Sequence, residues 1–459
     1  MISVAPPRVN PSPYCSIIIW EPRPPLLILI FNLLLTTTRS DKEKPLKMTT
    51  FERTASPRAA PRVTLPASTS TVTVRAIDAE AKMVGNAKLF VQPEIAGHEE
   101  INFTTMCFLI EHKTDAGTES ILFDCGIRKD FWNVVPWALE HIGTLIADMD
   151  VGHGVDEILT EQGFNLSNLK AIVWSHWHWD HIGDGAKFPS STDIVVGPGF
   201  TENFVPGWPK DPDGRVPSSS LEGHRIHEVD FPLEVGGFPA HDYFGDGSFY
   251  LLDVPGHTIG HICGFARTTP DTFIFMGADC SHYAGMLRPT EYVPMPDTIP
   301  PGTLDPYFPP VCPCSAFTAL HPKAGTSDHA KPLSEARSQP FYDVTRNPQG
   351  IYELADLAQE SVDKVKALDA QDNVLICLAH DVALVDILPL YNNDASADIN
   401  DWKDCGYKEK TRWGFLNDLP RDGERGRPPL VRGLWCGGKK VVRNDEGVLE
   451  LSSESGHEK

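Results

Sequence analysis

Short runs of apolar residues recur along the middle of the chain, each bounded by glycine, proline or polar residues. Runs of this kind, four to seven residues long, are typical of buried strands. They predict strands at 71–76, 105–111, 120–124, 171–175, 193–196, 248–253, 262–268, 272–276 and 373–378. Apolar residues at helical spacing predict helices at 155–162 and 352–370. Strands that alternate with helices in this way favour an α/β sandwich.

The second predicted helix, 352–370, keeps its apolar residues on one face. Its acidic residues Glu353 and Asp356 lie near the start, and Lys364 and Lys366 lie near the end. This arrangement complements the helix dipole, because the N-terminus is partially positive and the C-terminus partially negative. The charge pattern therefore supports the helix that the apolar spacing predicts.

The densest group of chemically active side chains lies at 175–181, Ser-His-Trp-His-Trp-Asp-His. The chain has only 17 histidines in 459 residues, so composition does not explain three within this segment. Further candidates follow in 255–261 (Pro-Gly-His-Thr-Ile-Gly-His), in 277–279 (Gly-Ala-Asp) and after the apolar run 374–379. Imidazole nitrogen and carboxylate oxygen are the ligands of catalytic zinc, which keeps a position open for water. The candidate ligands are too many for one ion and suit two: His176, His178, Asp180, His181, His257, Asp279 and His380.

The spacing within the first segment has a physical reason. The preceding residues 170–175 form the end of a predicted strand, and residues i and i+2 of an extended chain point the same way. His176 and His178 can therefore grip one ion, while Asp180 and His181, which follow as the chain turns, reach a neighbouring ion. Two ions about 3.5–4 Å apart can hold one hydroxide and polarise a carbonyl together.

These motifs resemble those of the metallo-β-lactamase-fold superfamily of metal-dependent hydrolases. His-x-His-x-Asp-His is complete at 176–181, and Pro-Gly-His-Thr-x-Gly-His is complete at 255–261. The segment 122–126, Leu-Phe-Asp-Cys-Gly, matches a strand that ends in Asp-x-Gly in such proteins. The resemblance covers residues 85–390 and implies an αββα sandwich, here with aromatic and proline-rich loop insertions.

The resemblance also implies a role for each ligand. His176, His178 and His257 would bind one zinc ion, Asp180, His181 and His380 the other, and Asp279 would bridge the two. Asp180 would also face the hydroxide and could carry a proton to the leaving group. Asp124 and His261 would either bond to ligand imidazoles or make simple loop-stabilising contacts.

Two residues after the bridging aspartate are further catalytic candidates. In acyl-homoserine-lactone lactonases, which share this motif set, a tyrosine shortly after that aspartate assists the substrate carbonyl. Here the third residue after Asp279 is His282, and Tyr283 is displaced by one position. Either side chain could donate a hydrogen bond to a developing oxyanion.

The function that follows is a di-zinc hydrolase that opens a lactone or lactam by attack of the hydroxide held between the ions. Fungal members of the superfamily are similar, which places the expected setting in xenobiotic detoxification or secondary metabolism. A metal-dependent thioesterase, of the hydroxyacylglutathione- or polyketide-releasing type, stays open because thioesters and lactones present similar carbonyls. An iron-dependent oxygenase and a non-catalytic binding protein are weaker alternatives, because the ligand set is complete.

Three insertions are expected to shape the substrate pocket: 127–154, 201–247 and 283–350. They are rich in aromatic residues and proline, and long irregular loops are often lids or binding loops. Trp177 and Trp179 either pack beneath these loops or form one wall of the site. The second alternative suits a small hydrophobic or aromatic substrate.

The formal charge of −22 argues against a nucleic-acid partner, because phosphate binding needs a basic face. The apolar run 26–35 is too short for a stable membrane span, which needs about 20 residues. We expect a cytoplasmic protein, although this run leaves secretion or anchoring open, and residues 1–47 look like an upstream extension. The predicted organisation is a disordered extension at 1–71, a catalytic domain at 72–390, and a segment at 391–459 that packs on the core and ends in a disordered tail. The sequence leaves the oligomeric state open.

Overall fold

The computed structural model of the chain describes residues 57–115, 117–324, 333–421, 423–445 and 447–452. Most of the predicted N-terminal extension, including the apolar run 26–35, lies outside the described residues. The first strand begins at Val72, as the sequence predicts. Residues before it also contact the fold, since Gly236 N–H donates to Thr64 O at 3.2 Å. No helix in the described ranges is long and apolar enough to cross a membrane.

The elements run in the following order along the described residues. The strands are β1 (Val72–Asp78), β2 (Ala81–Asn86), β3 (Val91–Gln92), β4 (Glu100–Phe103), β5 (Met106–Thr114), β6 (Gly117–Phe123), β7 (Ile146–Val151), β8 (Leu169–Val173), β9 (Asp193–Val196), β10 (Ile226–Glu228), β11 (Leu233–Val235), β12 (Phe238–Asp242), β13 (Phe249–Asp253), β14 (Ile262–Thr269), β15 (Thr272–Ala278), β16 (Thr298–Ile299), β17 (Cys312–Pro313), β18 (Asp343–Val344), β19 (Val374–Leu378), β20 (Leu434–Cys436), β21 (Lys439–Arg443) and β22 (Leu449–Leu451). The helices are α1 (Pro136–His141), α2 (Val155–Glu161), α3 (Phe200–Phe204), α4 (Ser218–Leu221), α5 (Ser315–Thr318), α6 (Leu333–Ala336), α7 (Ala355–Asp369), α8 (Val382–Ile387) and α9 (Tyr407–Thr411). All nine predicted strands and both predicted helices are confirmed, with ends that shift by three residues at most.

Two six-stranded sheets face each other and enclose the central core. Their strand orders are β1-β5-β6-β8-β9-β10 and β11-β12-β13-β14-β15-β19. Buried side chains from both sheets meet between them, among them Phe108 and Ile121 from the first and Leu251, Ile274 and Leu375 from the second. The strands are apolar runs rather than alternating ones because both faces of each sheet are covered.

Helices cover the outer faces of the two sheets. Ile158 and Leu159 of α2 pack with residues of the first sheet such as Leu122. Val362 and Val365 of α7 pack in the same cluster as residues of the second sheet. The layers are therefore helix, sheet, sheet, helix, which confirms the predicted αββα sandwich.

A third six-stranded sheet, in the order β22-β21-β20-β7-β2-β4, was not predicted. It joins the insertion 127–154, through β7, to the C-terminal strands β20, β21 and β22. In β7 only Ile146, Met149 and Val151 are buried. So few apolar residues do not predict a strand from the sequence alone, because a short strand is stable only beside its partner strands. The insertion 201–247 likewise contributes three strands, β10, β11 and β12, to the two main sheets.

Candidate metal centre and active site

The candidate ligands converge because strand ends meet at one edge of the sandwich. Strands β6 and β8 are parallel neighbours in the first sheet, and β15 and β19 are parallel neighbours in the second. The loop 176–181 follows β8, while Asp279 and His380 follow β15 and β19. His257 lies in the turn after β13, and it too reaches this edge. Side chains from four distant segments therefore meet at a single site, as the sequence predicts for all seven.

The first group comprises His176, His178, His257 and Asp279, whose ligand atoms all lie within 4.8 Å of one another. His257 Nε2 is 3.2 Å from His176 Nε2 and 3.0 Å from His178 Nδ1. Asp279 Oδ2 is 3.3 Å from His257 Nε2 and 3.6 Å from His176 Nε2. Three nitrogens and one oxygen thus point at one small volume.

The second group comprises Asp180, His181 and His380, with Asp279 between the two groups. Asp279 Oδ1 lies 3.1 Å from His181 Nε2 and 2.9 Å from His380 Nε2. Asp180 Oδ2 lies 3.7 Å from His380 Nε2 and 3.9 Å from His181 Nε2. The two oxygens of Asp279 therefore face different groups, as expected of a bridging carboxylate.

The donors of the first group fit a cation. Zinc–nitrogen bonds of about 2.0–2.1 Å place neighbouring nitrogens of a tetrahedral site about 3.3 Å apart. The observed nitrogen separations of 3.0 and 3.2 Å lie near that value. Burial holds the pKa of His176 and of His178 well below the usual range and lowers the pKa of His257 to about 3. Their imidazoles are therefore neutral at neutral pH, as metal ligands must be.

The second group also fits a cation. His181 Nε2 and Asp279 Oδ1 are buried without a hydrogen-bond partner among the described residues. Buried polar atoms are rarely left without a hydrogen-bond partner, so we expect these two atoms to bind a ligand. Burial would raise the pKa of Asp279, but His181, His380 and His282 lower it well below its usual range. The carboxylate is therefore ionised and ready to bind.

Asp124 fixes the orientation of His181. The Asp124 carboxylate is fully buried and accepts hydrogen bonds from Ser175 N–H at 2.8 Å, Ser175 Oγ at 2.9 Å and His181 Nδ1 at 2.8 Å. His380 is fixed in the same way, because its Nδ1 donates to Thr104 O at 2.6 Å. Since Nδ1 of each ring is occupied, Nε2 is the nitrogen that faces the site.

His261 positions Asp279 and does not belong to either group. Its Nδ1 donates to Val254 O at 2.9 Å, and its Nε2 accepts from the backbone N–H of Asp279 at 3.2 Å. Ala278, immediately before Asp279, has a positive φ of 43°, which is uncommon for a residue with a side chain. The hydrogen bond from Asp279 N–H to His261 Nε2 supports this strained approach to the site.

A turn that requires glycine places His257. Gly256 has a φ of +120°, and a Cβ there would lie 2.1 Å from the backbone nitrogen of Ala358 in α7. This close approach allows the N–H groups of Leu354 and Glu353 to donate to Gly256 O and His257 O, both at 2.9 Å. Helix α7 begins after these two residues, at Ala355, three residues later than the predicted start at 352.

The structure separates the two further catalytic candidates. His282 lies at the site, with Nε2 3.0 Å from Asp279 Oδ2 and Nδ1 2.7 Å from Tyr352 Oη. It also forms a potential metal group with Asp279 and His380. The hydroxyl of Tyr283 instead donates to Phe415 O at 2.7 Å. Tyr283 therefore does not bring its hydroxyl to the site, because the one-residue displacement turns it into the core.

Tyr352 was missed by the sequence analysis, which placed it inside a helix. Its hydroxyl bonds to His282, and its ring lies 5.3 Å from that of His257. The two bonded residues are 70 positions apart, so no local pattern links them. Only the fold brings this tyrosine to the site.

An apolar pocket opens onto the two ligand groups. Its lining residues are Met83, Phe90, Phe103, Trp137, His141, Leu145, Ile146, His178, Trp179, Asp180, Asp279, His282, Ile351 and His380. Of the three insertions, only 127–154 supplies lining residues in the described part of the chain. Trp179 forms part of the wall, whereas Trp177 is buried against Trp137 and Phe204. Of the two predicted alternatives, Trp177 therefore packs beneath the loops, whereas Trp179 forms part of a wall of the site.

Comparisons with known proteins agree with this geometry. The sequence model of the metallo-beta-lactamase superfamily matches residues 102–277. Gamma-lactamase FDB1 of Fusarium pseudograminearum (strain CS3096) is 39% identical over 377 residues, which cover 80% of this chain and 87% of that protein. Metallo-hydrolase mfmC of Annulohypoxylon moriforme is 39% identical over 372 residues, which cover 79% and 91% of the two chains.

Among solved structures, a quorum-quenching N-acyl homoserine lactone lactonase aligns with a TM-score of 0.43 and 16% sequence identity. The alignment covers 71% of this chain and 98% of that one. The two sequence relatives establish the family independently of this alignment, because each is more than 30% identical and covered over most of its length. The chain therefore belongs to the metallo-β-lactamase superfamily and is a metal-dependent hydrolase.

Proposed function

We propose that this protein is a di-zinc hydrolase that opens a cyclic ester or amide. The observation that carries the proposal is the convergence of seven donors into two groups that share Asp279. His176, His178 and His257 would hold one ion, and Asp180, His181 and His380 the other. When bound, two such ions lower the pKa of a shared water and polarise a carbonyl. The iron-dependent alternative is not favoured, since neither group lacks a donor.

Asp180 is the candidate for proton transfer to the leaving oxygen or nitrogen. Its side chain is the most accessible of the seven, 13% exposed where the other donors are almost fully buried. It lines the pocket next to His380 and His181, at the floor where a substrate carbonyl would lie. A carboxylate that faces both the ligand groups and the substrate can carry a proton between them.

His282 is the candidate that remains for assisting the carbonyl oxygen. It lines the pocket beside Asp279 and His380, with Nε2 3.0 Å from Asp279 Oδ2, whereas Tyr283 does not line this pocket and its hydroxyl donates to Phe415 O. Tyr352 fixes the His282 ring from the far side, so its Nε2 points towards the ligand groups. An oriented imidazole of this kind can stabilise negative charge as it develops.

A ring-closed substrate is supported by the pocket and by the relatives. Apart from the ligand groups, His282 and His141, the pocket wall is apolar, which suits a compact and hydrophobic molecule. One relative that is 39% identical is called a gamma-lactamase, an enzyme type that opens a cyclic amide. Lactones present a similar carbonyl within a ring, so the proposal covers both.

The test is a hydrolysis screen with zinc-loaded protein. The panel contains 3,4-dihydrocoumarin as a lactone, oxindole as a lactam and S-phenyl thioacetate as a thioester. We expect ring opening of a lactone or lactam, and we expect Asp180→Ala to reduce kcat at least 100-fold while the exposed Asp213→Ala does not. Turnover of the thioester alone would contradict the proposal and favour the thioesterase. Equal activity of Asp180→Ala and the parent protein would remove Asp180 from the mechanism.

A further inference from the structure

The wall of the pocket carries one ionisable side chain that belongs to neither ligand group and does not touch Asp279. This residue is His141, the last residue of α1, in the insertion 127–154. Its neighbours in the wall are apolar, among them Leu145, Ile146 and Ile351. A polar group on an otherwise apolar wall fixes the orientation of a ligand, because only one ligand edge can satisfy it.

His141 is held in a defined orientation with one nitrogen free. Its Nδ1 donates to Trp137 O at 2.7 Å, and its ring lies 4.0 Å from the Trp137 ring. Because Nδ1 is occupied, Nε2 is the free nitrogen, and it has no hydrogen-bond partner among the described residues. His141 is only partly buried, and it lines the pocket.

The Trp137 ring contacts both His141 and His178. Its centroid lies 5.9 Å from that of His178, with an interplanar angle of 14°, and 4.0 Å from that of His141. The pocket therefore has a catalytic end at His178 and a second polar group at His141. A substrate whose carbonyl lies at the catalytic end would bring a remote edge to His141.

We propose that His141 is a specificity-determining residue whose Nε2 binds a hydrogen-bond donor on the substrate edge remote from the carbonyl. The inference rests on the proposed function and narrows its substrate class. The preferred substrates are lactones or lactams that carry a hydroxyl or N–H group on the edge remote from the carbonyl. Unsubstituted analogues fill the same apolar space but leave Nε2 without a partner.

The experiment compares parent compounds with their hydroxylated forms. The parents are 3,4-dihydrocoumarin and oxindole, each with its four isomers that bear one hydroxyl on the benzene ring. KM and kcat are measured separately for the zinc-loaded wild-type protein, His141→Phe and His141→Gln. Phenylalanine keeps the ring on Trp137 and removes Nε2, whereas glutamine keeps a polar atom near the position of Nε2. The matched control is His227→Gln, an exposed histidine on β10.

For the wild-type protein we expect KM for at least one hydroxylated isomer to be roughly fivefold to tenfold below that of its parent, the size of one neutral hydrogen bond. This preference should vanish in His141→Phe and survive in His141→Gln and His227→Gln. If His141→Phe still prefers a hydroxylated isomer over its parent, or if the wild-type protein shows no such preference, the inference is overturned while the proposed function stands. Failure to hydrolyse either parent overturns the proposed function, and the inference falls with it.

Discussion

At the scale of single residues, the site depends on side chains that bind no cation themselves. Asp124 and His261 are both buried, and each makes one hydrogen bond to a neighbouring candidate ligand, Asp124 to His181 and His261 to the backbone of Asp279. A carboxylate that accepts from an imidazole fixes the tautomer and makes the other nitrogen a stronger ligand. Residues of this kind are visible in the sequence as parts of motifs, but their partners are not.

Replacement of Asp124 by asparagine should weaken zinc binding by the second group. An amide nitrogen would face the donors of Ser175 and His181, so one hydrogen bond becomes a repulsive contact. Replacement of a residue that hydrogen-bonds to a metal ligand lowers the metal affinity roughly 10- to 100-fold. Competition with a chromophoric chelator measures the affinity of each ion, with the exposed Asp213→Asn as control. If Asp124→Asn binds both ions as tightly as the wild-type protein, Asp124 does not position His181.

Asp418 should make the stability of the protein depend on pH near neutrality. Burial raises its pKa to about 7, against opposing effects of Arg427 and of a hydrogen bond from Asn102. The folded state therefore favours the neutral carboxyl, and its contribution is fully present below the unfolded pKa of 3.8 and is lost as the pH rises through 7.

The corresponding measurement is urea unfolding of the zinc-loaded protein at pH 6 and pH 8. Relative to Asp418→Asn, which cannot ionise, the wild-type protein should lose about 1 kcal/mol of unfolding free energy between these pH values, since one pKa unit corresponds to about 1.4 kcal/mol. For the exposed Asp213→Asn, the difference in unfolding free energy from the wild-type protein should be the same at pH 6 and pH 8. If the difference for Asp418→Asn is also the same at both pH values, Asp418 does not ionise in this range.

At the scale of elements, the sequence predicts the strands of the two main sheets because each is a dense apolar run covered on both faces. It also predicts the seven candidate ligands, since these follow strand ends in compact motifs. The third sheet could not be predicted in this way. Its strands β7 and β20 pair across more than 280 residues, and short strands such as these are stable only within a larger sheet. The position of His141 in the pocket wall depends on that same pairing, because His141 lies in the insertion 127–154, which also contains β7.

The turn between β13 and β14 should tolerate no side chain at Gly256. A Cβ there would lie 2.1 Å from the backbone nitrogen of Ala358, and the φ of +120° is strained for any residue except glycine. We expect Gly256→Ala to lower the unfolding free energy by about 2–4 kcal/mol and to weaken zinc binding at His257.

Gly237→Ala is the matched control for this substitution. Gly237 also has a positive φ, of 87°, but a Cβ there would meet nothing within 4 Å. The Gly237→Ala substitution should lower the unfolding free energy only by the backbone strain, about 1 kcal/mol, and should leave the zinc affinity unchanged. Equal effects of the two substitutions, measured by thermal unfolding and zinc competition, would contradict the role of close packing at Gly256.

At the scale of the whole molecule, the third sheet links the end of the chain to the substrate pocket. Met83 in β2, Phe103 in β4 and Ile146 in β7 line the pocket, and β7 is paired on its other side with β20. The described C-terminal residues therefore support the wall of the pocket from behind. The aromatic residues Trp402 and Phe415 of the segment 391–459 are buried as well.

Disruption of the C-terminal strands should therefore impair substrate binding more than metal binding. Val441 in β21 is 3% exposed, so Val441→Ser replaces a buried apolar side chain by a polar one and should cost about 2–3 kcal/mol. We expect a lower melting temperature and a higher KM, with two zinc ions still bound. Lys440→Ser, at the adjacent exposed position of the same strand, is the control. An unchanged KM in Val441→Ser would separate the C-terminal strands from the pocket.

The most direct test of the metal centre is the zinc content of the purified chain, measured by mass spectrometry after reconstitution and removal of unbound ions. The convergence of seven donors on Asp279 predicts two tightly bound zinc ions per chain. His257→Ala and His380→Ala, which each remove one donor from a different group, should each retain close to one. A wild-type protein that binds one ion or none, or variants that both retain two, would contradict the two-ion site.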